Sequence, residues 1–199
     1  MNSLDYHNHD FAELKRIRSI MGLCVFSEKT EVGSPVDRVF KSFTDTEFLV
    51  KVFPARVGLH LQRRTARYLG TGCSVMLEAR FFGLPLAWVS YVNSFSVNRH
   101  FSYVWQKGPL HCWEHDFYFE SISNGTRVTE CILYRFPVGK VGEWLNLGQW
   151  FNTLYFREFL KRVYRERNEK IRQVLAAAPA NSNGFRPANP LPAPAVQRS

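Results

Sequence analysis

Apolar positions recur with two different periods along this chain, and the changes of period mark out its elements. Residues 23–32 carry Cys24, Phe26 and Val32 among polar neighbours and read as a strand. Gly33-Ser34-Pro35 then opens a helix, with Ser34 expected as N-cap, Pro35 at the first helical position and Asp37 in the positive first turn. Val36, Val39, Phe40 and Phe43 share one face at helical spacing. Thr44-Asp45-Thr46 caps a second short helix that runs to about Val52, and Pro54 ends it.

Between residues 57 and 136 the period drops towards two. Strands are expected over 57–63, 72–82 and 86–95, with Gly83 at a turn and Asn98-Arg99-His100 as a connection. Phe101, Tyr103 and Trp105 alternate on the next strand, which Gly108-Pro109 stops. Trp113, His115, Phe117 and Phe119 alternate on another, and Val128, Glu130, Ile132 and Tyr134 on the last, over 126–136. Asn124-Gly125 between these two is a hairpin signal. With Ser123 and Thr126 flanking the turn, Phe119 faces Glu130, Phe117 faces Ile132 and His115 faces Tyr134. Both alternating sets then share one face of the sheet.

Residues 142–175 read as one long helix, with Trp144, Leu147, Phe151, Leu154, Tyr155, Phe159 and Val163 as a broad apolar stripe. A lone helix cannot bury such a stripe by itself, so it must lie across the sheet. The fold class expected is α+β: a curved antiparallel sheet wrapped around a long C-terminal helix, with two short helices after the first strand. Residues 1–20 form an N-terminal extension containing a short amphipathic stretch, 21–176 the domain, and 177–199 a Pro- and Ala-rich tail expected to be disordered.

Composition narrows the function classes. Aromatic residues make up 15% of the 199 residues, and all five Trp lie between Trp88 and Trp150. That density suits either a plain core or a cavity for a flat ligand. The net charge of +9 favours acidic partners. The cations are spread over 56–67 and 157–172 rather than gathered in a block, which points to solvated faces or an anionic membrane surface before nucleic acid. Cys24, Cys73, Cys112 and Cys131 form no CxxC pair, so neither a zinc site nor a disulfide scaffold is expected, and a reducing compartment is the default. No apolar run is long enough for a signal peptide or a bilayer span. A cytoplasmic protein, with peripheral membrane contact as an option, fits these features. No cofactor motif, nucleophile elbow or metal cluster is present; His7 and His9 are a chance spacing. Oligomeric state is not legible.

Several local strings resemble the START-like, or SRPBCC, superfamily of helix-grip proteins. They are Gly33-Ser34-Pro35-Val36-Asp37-Arg38-Val39-Phe40, Leu84-Pro85-Leu86-Ala87-Trp88-Val89-Ser90, Gly108-Pro109 followed by Trp113-Glu114-His115, and Gly125-Thr126 with Tyr134, Pro137 and Gly139. The likeness spans roughly 23–175 and is most similar to bacterial stand-alone ligand-binding members. It implies the helix-grip fold and an internal cavity, but not one chemistry, since the superfamily includes lipid-transfer domains, plant allergens and polyketide cyclases. The chain departs from the family pattern at Phe117, where a second His is frequent, and at Glu130, where Asp is usual.

The inner face supplies the candidate chemistry. His115 has an ordinary pKa suited to proton transfer near neutrality. Tyr134 opposite it would hold a ligand carbonyl, and Glu130 would orient either or act as base. Trp88, Tyr103, Trp105 and Trp113 form a stacking wall, with Phe117, Ile132, Phe151 and Tyr155 completing the lining. Arg157 on the long helix is within reach of Glu130 or of an anionic ligand group, or is simply a surface residue. Two readings stay open: a carrier or binding protein for a small hydrophobic or aromatic molecule (lipid, isoprenoid or polyketide-like), and a cofactor-free cyclase, dehydratase or isomerase working through His115, Glu130 and Tyr134.

Overall fold

The computed structural model describes residues 23–81, 83–137, 145 and 147–177. The expected N-terminal extension, the tail beyond 177 and most of the start of the long helix lie outside the described residues. Seven strands form one open sheet: β1 (Cys24–Val32), β2 (His60–Arg64), β3 (Ser74–Phe81), β4 (Leu84–Ser96), β5 (His100–Lys107), β6 (Cys112–Ile122) and β7 (Gly125–Arg135). Every pairing is antiparallel, in the order β1-β7-β6-β5-β4-β3-β2. The first two strands therefore lie at opposite edges, and the chain between them must cross the sheet. Two short helices make that crossing, α1 (Val36–Thr44) and α2 (Thr46–Val52). Asp45 caps α2 as expected, its Oδ1 accepting from Glu47 N at 2.9 Å.

Ser34 does not cap α1. Pro35 holds the N-cap position without a side-chain bond, while Ser34 Oγ donates to Leu175 O at 3.2 Å, near the end of the last helix. Thr126 Oγ1 donates to Ser34 O at 2.8 Å, so one serine ties β7 to both helical layers. Gly125 makes this approach possible. Its φ is +137°, and a Cβ there would stand 2.1 Å from Val32 O.

The same glycine changes the hairpin. Gly125 pairs with Ile122, and Ser123 and Asn124 form the turn. Phe117 consequently faces Glu130, His115 faces Ile132, and Trp113 faces Tyr134. The register is slipped by two residues from the expected one, which leaves every side chain on the face assigned to it. Trp113, His115, Phe117 and Phe119 are buried, as are Val128, Glu130, Ile132 and Tyr134.

The C-terminal helix has three parts: α3 (Leu147–Phe151), a π-helical turn (Asn152–Phe156) and α4 (Arg157–Ala177). It carries two apolar rows rather than one stripe. The π turn holds more residues per turn than an α-helix and so shifts the phase between the apolar positions before it and those after it. The sheet takes the longer row, and Phe156, Leu160, Val163, Tyr164, Ile171 and Leu175 are buried. Leu147, Phe151, Leu154 and Tyr155, expected inside, are exposed. Among the described residues no helix is long and apolar enough to cross a membrane.

Candidate functional site

A cavity of about 340 Å³ lies between the inner face of the sheet and the C-terminal helix. Trp88, Tyr103, Trp105, Trp113, Phe117 and Phe151 line it. Ile132 is fully buried and Tyr155 is exposed; neither reaches the lining. Strands β4, β5 and β6 each contribute one tryptophan to a continuous stack. Trp88 and Trp105 have centroids 5.1 Å apart, and Trp105 and Trp113 lie 4.6 Å apart at only 10°. The turn after β5 keeps the middle ring in place: a Cβ on Gly108 would meet Trp105 Cε3 at 2.4 Å. Ser90 and Trp105 are cross-strand partners in the wall. Ser90 Oγ and Trp105 Nε1 are buried without a hydrogen-bond partner among the described residues.

A polar chain crosses the core beside this wall. Tyr103 and His115 face each other on β5 and β6, with the Tyr103 hydroxyl 2.8 Å from His115 Nδ1. His115 Nε2 lies 3.1 Å from Glu130 Oε2. The other carboxylate oxygen accepts from Arg167 of α4, which also donates to Asn168 Oδ1 at 2.8 Å and lies 4.3 Å from the Tyr164 ring centroid. His115, Glu130 and Arg167 are each 1% exposed. The chain separates two apolar clusters, one around Phe40, Phe43 and Phe101, the other around Trp113, Ile132 and Leu160; Tyr103 packs against both.

Burial and charge fix the protonation of this chain. Burial, with the Arg167 guanidinium, lowers the proton affinity of His115 against the opposing pull of the Glu130 carboxylate. Burial alone would raise the Glu130 pKa, but the Arg167 guanidinium and the His115 bond together hold it below the usual carboxylate range. Burial works against the Arg167 charge and is outweighed by Glu130 together with Tyr164 and Tyr103. Burial, reinforced by Glu130, pushes the Tyr103 hydroxyl up. The consistent arrangement is a neutral imidazole that donates from Nε2 to Glu130 and accepts at Nδ1 from Tyr103. Glu130 and Arg167 form a desolvated ion pair behind it.

This arrangement differs from the expected trio in three ways. Tyr134 is not joined to His115; its hydroxyl donates to Asn152 Oδ1 in the π turn. Tyr103 takes the place beside the imidazole. Arg157 is exposed, and the helical arginine at Glu130 is Arg167, ten residues further on. Arg167 follows Leu160, Val163 and Tyr164 and precedes Ile171 at helical spacing, so a cation set within an apolar row was its signal in the sequence. Of the four chain members, Tyr103 and Arg167 line the cavity, whereas His115 and Glu130 lie behind its wall.

The remaining candidate groups do not converge on this cavity. His100 Nε2 lies 3.0 Å from Asp116 Oδ1, with Ser94 Oγ 3.5 Å from Nδ1, but none of the three lines it. Cys24 is pushed up to about 11 by burial and by Cys112, which makes it a poor thiolate. Among the described residues no group of His, Cys, Asp or Glu is placed to hold a metal.

Solved structures share this architecture. A di-domain aromatase/cyclase, BexL, from the BE-7585A biosynthetic pathway superposes with a TM-score of 0.61 at 14% identity, covering 79% of this chain and 52% of BexL. Ara h 8.0201 matches at 0.54 and 12% identity, over 79% of this chain and all (100%) of its own. TTHA0849 from Thermus thermophilus matches at 0.57 and 17%, over 78% and 100%. The chain has the helix-grip fold. At these identities the likeness extends to the fold alone. No family model and no curated protein matches the sequence.

Proposed function

We propose that this helix-grip protein is a carrier or binding protein for a small, largely apolar molecule, held between the tryptophan stack and the C-terminal helix. The observation that carries this reading is the cavity itself. Its volume of about 340 Å³ falls within the range of small-molecule sites, roughly 300–1,000 Å³, and its lining is almost wholly apolar. The stacked Trp88, Trp105 and Trp113 rings favour a ligand with a flat face. Ser90 and Trp105, both in the lining, each carry a buried polar atom without a partner among the described residues. The polar chain supports a carrier over an enzyme, because its imidazole has both nitrogens engaged and lies behind the wall.

Titration with 1-anilinonaphthalene-8-sulfonate tests this. Saturable one-to-one enhancement is expected, and Leu77→Trp, which adds an indole ring to the cavity lining, should weaken it severalfold or more while thermal unfolding stays cooperative. Enhancement undiminished in Leu77→Trp would place the probe elsewhere and count against the reading.

A catalytic reading draws on one observation: Tyr103 both lines the cavity and meets His115 Nδ1, so a proton has a route from a bound ligand to the imidazole. In that case His115→Gln keeps ligand affinity and loses turnover of a polyketide-like substrate.

A further inference from the structure

The first turns of the C-terminal helix turn an apolar face outward. Leu147 is 50% exposed, Trp150 63%, Leu154 56% and Tyr155 60%, with Phe151 between them at 39%. They follow one another along α3 and the π turn, and all but Phe151 have half or more of their surface in solvent. Five neighbouring exposed side chains of this size exceed the scattered apolar residues of an ordinary surface. Phe151 also lines the cavity, so this face borders its rim.

Cations surround the row. Arg56 and Arg162 share a shallow groove with Leu154 and Tyr155. Arg157, Lys161 and Arg165 continue along the same helix, against only two carboxylates in that stretch, Glu158 and Glu166. Glu158 is bonded to Lys161 at 2.5 Å, and Glu166 to Arg56. Arg157, Arg162 and Arg165 remain as the excess charge. A second copy of the chain is a poor fit, because a two-fold contact would bring these cations against themselves.

We infer that this face docks on an anionic lipid membrane. The apolar row enters the boundary between headgroups and acyl chains, Trp150 and Tyr155 sit at interfacial depth, and the arginines meet lipid phosphates and carboxylates. The docking rests on surface residues alone and stands or falls separately from any cavity ligand. If the cavity does carry a ligand, Phe151 sets its rim against the lipid.

Flotation of the full chain with phosphatidylcholine vesicles, with and without phosphatidylserine, at low and high salt, tests the inference. Binding is expected only with phosphatidylserine present, weakened by salt, with a blue shift of tryptophan emission that Trp150→Phe removes. The triple variant Trp150→Ser/Leu154→Ser/Tyr155→Ser should lose roughly tenfold or more in affinity. Arg157→Gln and Arg162→Gln should each lose about fivefold. Circular dichroism and melting of these surface variants should match the wild type. Equal binding to neutral vesicles, no binding to either kind, or indifference to both sets of variants would overturn it. So would a wild-type dimer that the triple variant dissociates, which would assign the face to self-association.

Discussion

Arg167 on the C-terminal helix and Glu130 in the middle of β7 form an ion pair in which each residue is only 1% exposed. It is the electrostatic clasp between helix and sheet. His115 takes the remaining carboxylate oxygen and passes the contact on to Tyr103 at the cavity wall.

Breaking this clasp from one side should be costly. Arg167→Met leaves a buried carboxylate unpaired and should cost about 3–5 kcal/mol. Adding Glu130→Leu to it should recover most of that loss, because both desolvated charges are then gone. Urea unfolding of the wild type, the single and the double variant measures this. A double variant as unstable as Arg167→Met would show that the charges are not the source of the effect.

The imidazole makes stability fall in acid. Unfolded His115 takes a proton near its ordinary value of 6.5, whereas the buried ring takes it only at lower pH. The unfolded chain therefore binds more protons below about pH 6.5, and stability declines as pH falls through that range. Glu130, lowered from 4.5, adds a second loss of the same sign below about pH 4.5. Melting temperature against pH should show the first decline in the wild type and not in His115→Gln, with the second kept in both. A flat wild-type profile from pH 7 to 5 would contradict a neutral buried imidazole.

The tryptophan stack depends on a residue without a side chain. Gly108→Ala would place a methyl group 2.4 Å from Trp105 Cε3 and must move the ring. Binding of the naphthalene probe should weaken at least severalfold, while global stability changes by only about 1–3 kcal/mol, the cost of local overpacking. Unchanged probe affinity would mean that the stack does not shape the site.

How much of this was legible in the sequence follows from the physics of each element. The inner face of β6 and β7 was readable because burial imposes a period of two from Trp113 to Phe119 and from Val128 to Tyr134. Their register was not, since a slip of two residues preserves that face, and the close approach of Val32 to Gly125 in the observed register is a tertiary contact between β1 and the hairpin. For the same reason the partner of His115 was misplaced: Tyr134 and Tyr103 both sit on the inner face, and only strand pairing selects Tyr103. The long helix was readable as a helix, but its two apolar rows merged into one stripe. Without the sheet's position, nothing ranks the row of Leu147 and Phe151 below that of Leu160 and Tyr164. Arg167 carried only the weak signal of a cation within an apolar row, because most arginines in an arginine-rich helix are solvated and its burial depends on Glu130, thirty-seven residues away.

The central claim is that the space between the tryptophan stack and the helix holds a small apolar molecule. Native mass spectrometry of the purified full chain, followed by organic extraction and identification of the released compound, tests it most directly. One bound apolar molecule per chain is expected, with lower occupancy in Leu77→Trp purified in the same way. A chain that is empty as purified and binds no apolar probe would contradict it.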